Sequence, residues 1–338
     1  DMTVFKEDND ELVIVIPSDG ELHRNTMDFL QECGLQVRPT NSRGYTGTIP
    51  TMPGVSVLMQ RTADITNKIE DFSADVGITG LDRYLEYKTD DRYVGKIVND
   101  LGYGGCEFVL AVPESWIDVN GLDDLSDLTN EYRQKGLDLR IATKYPKLLN
   151  NYLYDNGIYN YRIVAVSGAL EAAPAAGYAD LIADLTATGT TLRANNLKQI
   201  EKGTVLKSQA CLIGNPESIR NNSNKHDLAM KLIDLIKSNI RAAEYYRLTA
   251  NVQCDSEETL ASLVLSHPDI SGIHGPTVSR LHSKSNTSWF SLSVVVSKSK
   301  LSECVSQIRD CGGISIAASK IDYLFNAEVV ENSQVFID

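Results

Sequence analysis

Apolar residues along this chain fall into two rhythms. Unbroken or nearly unbroken runs recur at LVIVIP (12–17), VSVLMQ (55–60), ADVGITG (74–80), CEFVLAVP (106–113), LRIATK (139–144), YRIVAVS (161–167) and ADLIADL (179–185). Runs of this length predict strands of a covered sheet. Between them, apolar residues at three- and four-residue spacing in TMDFLQECG (26–34), DITNKIEDF (64–72), LDDLSDLTNEYRQKG (122–136) and PKLLNNYLYDNG (146–157) predict helices. Regular alternation of the two predicts doubly wound α/β layers, with ligand sites at the carboxyl ends of strands.

The strands group before about residue 100 and again between 106 and 185, which predicts two α/β lobes of periplasmic-binding-protein type flanking a cleft. The expected boundaries are 1–105 with 198–224 for lobe I and 106–197 for lobe II, since KQIEKGTVLKSQACLIGN (198–215) reads as a return to the first lobe. A linking helix follows at 225–246, where HDLAMKLIDLIKSNIRAAEYY is strongly amphipathic. From 247 to 338 the order strand, helix, strand, strand, helix, strand predicts a C-terminal ferredoxin-like (β-α-β-β-α-β) domain, a plan common in effector-binding modules.

Composition narrows the function classes. The 338 residues carry a formal net charge of −13, which opposes nucleic-acid binding and leaves any polyphosphate to be held by a local site. Six scattered cysteines, without metal-site spacing, read as thiols of a reducing cytoplasm; Cys304 and Cys311 are the one pair near enough in sequence to consider as a disulfide. No apolar run reaches the ~18 residues of a membrane helix. The start, DMTVFKEDND, has no signal-like pattern, so a soluble cytoplasmic chain without a membrane partner is expected.

One segment carries candidate chemistry. In DLIADLTATGTTL (180–192) a short strand ends near Asp184 and turns through Thr186–Thr191 toward Arg193. Threonine and glycine make ordinary turns, and a structural turn is one reading. The other is a phosphate site, where hydroxyls, free backbone N–H groups and a helix dipole converge, beside a carboxylate suited to sugar hydroxyls or a metal. A phosphorylated sugar satisfies both halves of the second reading. No Gly-x-x-x-x-Gly-Lys-Ser/Thr string offers an alternative phosphate loop.

Read with Glu171, Gly177 and Ala179 upstream, this segment resembles the signature of the ATP phosphoribosyltransferase family at Ile182, Asp184, Leu185, Thr188, Gly189, Thr191 and Leu192. The similarity continues through LMQRTADI (58–65), DVGITGLD (75–82), LGYGGCEFVLAVP (101–113), LRIATKYP (139–146), SGALEAAPAAGYAD (167–180), SQACLIGN (208–215), GPTVS (275–279) and GGISI (312–316). It covers nearly the whole chain and is similar to the long form, with a C-terminal histidine-binding regulatory domain. The resemblance implies transfer of phosphoribosyl from 5-phosphoribosyl 1-diphosphate to N1 of ATP, with Mg²⁺ present and pyrophosphate released. This is the first step of histidine biosynthesis, inhibited by histidine. It also implies a homo-oligomer, from dimer to hexamer.

By the same resemblance, Ala187, Thr188, Gly189, Thr190 and Thr191 hold the 5-phosphate of phosphoribosyl diphosphate, while Asp184 and Glu171 are the catalytic and metal-holding carboxylates. Arg61, Asp82 and Lys144 fall at ATP-contacting positions; taken alone, they read as a salt bridge with Asp64, a helix N-cap and solvated surface. Ile273, Thr277 and Ser315 match effector-pocket positions, and taken alone read as turn or core residues. One departure stands out: most of the family has Lys-Gly-Arg after the first strand, whereas this chain has Asp19, Gly20 and Glu21. Either both acids face solvent, or Arg24 or His23 turns inward, or Arg43 of a neighbouring subunit reaches in, to replace the missing charge; the alternative function is a non-catalytic binding or regulatory relative of the same fold.

Overall fold

The computed structural model describes residues 10–40, 44–166, 168–282, 287–326 and 336. The first lobe is built from β1 (Leu12–Pro17), α1 (Gly20–Glu32), β2 (Arg38–Pro39), β3 (Thr46–Thr48), β4 (Val55–Gln60), α2 (Ile65–Glu70), β5 (Val76–Gly80), α3 (Leu81–Tyr87) and β6 (Gly95–Val98). Its central strands β4, β1 and β5 run parallel, and Leu12, Ile14, Val15 and Ile16 of β1 are fully buried, as their unbroken apolar run requires. Helix α1 begins six residues earlier than its apolar spacing predicts. Gly20, at φ +76°, makes the sharp turn out of β1, and Glu21 sits in the first helical turn, where a carboxylate faces the positive end of the dipole.

The second lobe contains β7 (Cys106–Pro113), α4 (Leu122–Gln134), β8 (Leu139–Thr143), α5 (Pro146–Asp155), β9 (Tyr161–Ala165), β10 (Leu181–Thr186), α6 (Thr190–Ala194) and β11 (Leu197–Ser208). Its sheet order is β11-β7-β10-β8-β9. Phe108, Leu139, Ile141, Leu149 and Leu181 form the centre of its core. The chain returns to the first sheet as β12 (Ala210–Gly214), followed by α7 (Pro216–Asn221) and α8 (Ser223–Ala242). The expected return at residue 198 is therefore displaced to Gln209. Strand β11 pairs with β7 from Leu197↔Pro113 to Ser208↔Cys106, so its hydrogen bonds belong to the second sheet.

Residues 30–36 and 230–332 form a separate compact unit. It holds β13 (Tyr245–Gln253), α9 (Glu257–Leu265), β14 (Thr277–Leu281), β15 (Trp289–Ser297), α10 (Leu301–Asp310) and β16 (Gly313–Lys320). The all-antiparallel order β14-β15-β13-β16 is the ferredoxin-like plan expected from the pattern, with Leu248, Leu260, Phe290, Leu292 and Ile308 in its core. All six cysteines are free, so Cys304 and Cys311 form no disulfide. Among the described residues no helix is long and apolar enough to cross a membrane.

A buried ion pair anchors the first sheet. Asp75, just before β5 and 2% exposed, accepts from the Val13 N–H at 2.7 Å, from Lys225 Nζ at 2.9 and 3.2 Å, and from Ser218 Oγ. Lys225→Ala leaves that carboxylate without its countercharge. The expected loss is about 3 kcal/mol, toward the low end for a broken buried pair because Lys225 keeps some solvent access. Urea denaturation checks it, and a midpoint unchanged from the parent would show that Ser218 and the amide suffice.

Candidate active site

The carboxyl ends of the strands converge on a cleft of about 340 Å³ between the two lobes. Glu21, Thr62, Gly80 and Arg83 line it from the first lobe, and Tyr145, Thr186 and Ala187 from the second. Gly104 to Cys106, where the chain passes between lobes, close one side.

At the junction lies Asp82, in the first turn of α3 and 4% exposed. One carboxylate oxygen accepts from Tyr145 Oη and the other from Ser208 Oγ, each at 2.7 Å, while the Asp82 N–H donates to Ser208 Oγ at 3.0 Å. Tyr145 follows β8 and is fully buried; burial first, then the Asp82 charge, pushes its phenol far above the ordinary range, so it remains a donor. One turn along α3, Glu86 reaches across to α5 and accepts the Lys147 and Leu148 N–H groups at 3.0 and 2.9 Å. A helix of one lobe thus caps a helix of the other.

Asp184 lies in β10, beneath the threonine loop. Burial holds its carboxyl above the usual carboxylate range; Glu171 pushes the same way, and the Leu185 N–H bond, Lys144 and Arg83 oppose it. These charges therefore share one locality. The strand is fixed by Arg140 of β8, whose guanidinium pairs with Asp180 at 2.9 Å and donates from Nη1 to Gly177 O at 2.8 Å. Gly177 has φ +76°, so the chain enters β10 through a turn that glycine accommodates best.

The loop itself is preformed. Gly189 has φ +71°, its N–H donates to Thr186 Oγ1 at 2.9 Å, and the Thr188 and Thr190 hydroxyls meet at 2.9 Å. Helix α6 spans only five residues, so the expected dipole is short. Positive charge comes instead from Arg193, whose Nη2 donates to Thr188 O at 3.1 Å.

The remaining sequence candidates divide. Lys144 lies near Asp184, and Asp82 lines the cleft while each of its oxygens accepts one protein donor. Arg61 is exposed, with no ion pair to Asp64 among the described residues, although the next residue, Thr62, lines the cleft. Asp19 is exposed, and of the two acids only Glu21 borders the cleft. Arg24 is exposed and does not line the cleft, His23 Nδ1 donates to Pro17 O at 2.7 Å, and Arg43 lies outside the described residues. In the C-terminal unit Ile273 and Thr277 border a pocket of about 570 Å³ that Ser315 does not line. Thr277 and Ser315 occupy the two opposite edge strands, about 14 Å apart at ordinary strand spacing.

Sequence reasoning missed Arg83, Tyr145, Ser208 and Glu86. Arg83 and Tyr145 adjoin the flagged Asp82 and Lys144, which was the available signal; Ser208 and Glu86 had none. Ser208→Ala deprives buried Asp82 of one donor and its N–H of an acceptor, so stability should fall by about 1–3 kcal/mol. Chemical denaturation measures this, and an unchanged midpoint would mean water replaces the hydroxyl.

A family model described as ATP phosphoribosyltransferase matches residues 61–239, and one described as "HisG, C-terminal domain" matches residues 242–323. The chain is 32% identical to ATP phosphoribosyltransferase 1, chloroplastic, of Arabidopsis thaliana, over 95% of this chain and 79% of that protein. It is also 32% identical to an ATP phosphoribosyltransferase of Bradyrhizobium sp. (strain ORS 278), over 94% of this chain and 95% of the relative. Among solved structures, the "ATP phosphoribosyl transferase (HisG:HisZ) complex from Thermotoga maritima" shares 27% identity and a TM-score of 0.51. That match covers 67% of this chain and 98% of the other.

Proposed function

This chain belongs to the ATP phosphoribosyltransferase family, and from that premise we propose how its cleft carries out the transfer. The reaction joins C1 of the ribose in 5-phosphoribosyl 1-diphosphate to N1 of ATP, in the first step of histidine biosynthesis. The C1–N1 bond forms as the C1–O bond breaks, and the bonding pair leaves with pyrophosphate. N1 already has a free lone pair, so no general base is required. The observation that carries the reading is the threonine loop, preformed beside the half-buried Asp184 carboxylate at the mouth of an interlobe cleft.

In this proposal Ala187, Thr188, Gly189, Thr190 and Thr191 hold the 5-phosphate through hydroxyls and backbone N–H groups, with Arg193 behind them. Asp184 and Glu171 hold the ribose hydroxyls, and their charge favours the cationic sugar of the transition state. Arg61 and Lys144 take the nucleotide phosphates. Asp82, which lines the cleft, positions its wall next to the nucleotide.

The residues present suit Mg²⁺. Among the described residues no group of three or more His, Cys, Asp or Glu is arranged to hold a metal. Mg²⁺ is commonly held by one or two carboxylates together with substrate phosphates and water, the hard-oxygen set that Asp184 and Glu171 provide. When bound there, the ion would offset charge on the leaving diphosphate.

For regulation we propose histidine as the inhibitor, bound in the pocket that Ile273 and Thr277 share with Arg241, Arg247 and His274. Ser315 would complete it from a second copy, since it stands on the far edge of its own sheet. This supports a homo-oligomer, dimer to hexamer. The free thiols fit a cytoplasmic setting, and the Arabidopsis relatives are named chloroplastic.

Absorbance at the product band, with ATP, phosphoribosyl diphosphate, Mg²⁺ and pyrophosphatase, should rise with the native chain and stop with chelator. Asp184→Asn should reduce kcat roughly a hundredfold with the fold intact. Near-normal turnover of the variant would remove Asp184 from the site, and substrate binding without turnover by the native chain would favour the non-catalytic reading.

Millimolar histidine should inhibit the same assay. Ile273→Glu should raise the histidine concentration for half-inhibition by roughly tenfold or more while sparing the uninhibited rate, since effector and substrates occupy different pockets. Equal inhibition of both proteins would place the effector elsewhere.

A further inference from the structure

We propose that Arg83 is the residue that takes the polyphosphate charge of a substrate in this chain, in place of the cations that its first strand-to-helix turn lacks. The inference rests on the transferase reading above. The turn carries Asp19, Gly20 and Glu21, and the Glu21 carboxylate borders the cleft itself. Two of the expected replacements do not line the cleft: Arg24 is exposed outside it, and His23 Nδ1 is bonded to Pro17 O. Among the described residues lining the cleft, Arg83 is the one cation.

Its setting suits phosphate. The guanidinium carbon lies 4.6 Å from the centre of the Tyr145 ring, so stacking fixes its plane without consuming N–H donors. Its Nε forms an ion pair with Asp82 Oδ2 at 3.7 Å, longer than a hydrogen bond, so Asp82 offsets part of the guanidinium charge without taking one of its donors. Among the described residues it makes one hydrogen bond, from Nη1 to Tyr87 Oη at 3.4 Å, which leaves most of the five-donor fork for a ligand. The side chain is 24% exposed, so it is partly desolvated yet reachable. A planar fork held in this way fits the paired oxygens of a diphosphate or triphosphate. Glu21 opposes the same ligand from the neighbouring wall, so the two residues set the affinity together.

Steady-state kinetics of Arg83→Met, Arg83→Lys, Glu21→Arg and the double variant Arg83→Met with Glu21→Arg test the assignment, alongside calorimetric binding of inorganic pyrophosphate. Arg83→Met should raise the KM of one polyphosphate substrate by roughly 10- to 100-fold, the worth of charged hydrogen bonds, with a smaller change in kcat. The substrate whose KM moves, ATP or phosphoribosyl diphosphate, identifies the phosphate chain bound. Arg83→Lys should recover only part, for want of the fork. Glu21→Arg should lower that KM in the native background and restore much of it in the double variant. Unchanged KM values and pyrophosphate affinity in a folded Arg83→Met, or in Arg83→Lys together with a silent Glu21→Arg, overturn the proposal. If the native chain shows no turnover, the transferase reading fails by itself; pyrophosphate binding lost in Arg83→Met still upholds the anion site, and binding retained sinks it.

Discussion

A carboxylate at 4% exposure is costly unless donors surround it, and Asp82 obtains its donors from the opposite lobe. Tyr145 reaches it from the end of β8 and Ser208 from the end of β11, so the charge is satisfied only when the two sheets stand at one spacing. Glu86 repeats the arrangement one turn later by capping α5. The cleft walls are the immediate neighbours of these bonds. Gly80, Arg83, Tyr145 and the residues after Asp184 face one another because the hub holds their strands.

The same hub shapes the electrostatics of a chain whose net charge is −13. Positive charge is placed sparingly: Arg193 under the threonine loop, Lys144 beside Asp184 and Arg83 on the Tyr145 ring. Arg193 and Arg83 are oriented by neighbouring groups before any ligand arrives, so less ordering remains to be done on binding. The acids at the start of α1 fit their helix end, and there local helix stability and cleft electrostatics oppose each other.

Much of this organisation was legible along the chain. Unbroken apolar runs located nearly every central strand, because strands covered on both faces admit no polar alternation. The β-α-β-β-α-β order of the tail was equally plain, since each element there is amphipathic by itself. The threonine-glycine segment identified its own turn: Gly189 occupies the left-handed region and Thr186 supplies the hydroxyl that binds its N–H, both local properties.

What the chain did not reveal was everything that depends on contact across sequence distance. Asp82 and Ser208 are 126 residues apart, Asp82 and Tyr145 are 63 apart, and no local period marks such partners. For that reason the interlobe bonds of Asp82 left no mark in the sequence, although the residue itself was singled out and lines the cleft. For the same reason β11 read as part of the first lobe, because pairing with β7 leaves no trace in its own residues. By itself the sequence determined which segments are strands and helices, where the threonine-glycine loop lies and the family resemblance. Only the tertiary structure decided which polar groups are consumed by the fold and which, like Arg83, keep donors for a ligand, because hydrogen-bond satisfaction belongs to the packed neighbourhood of a residue.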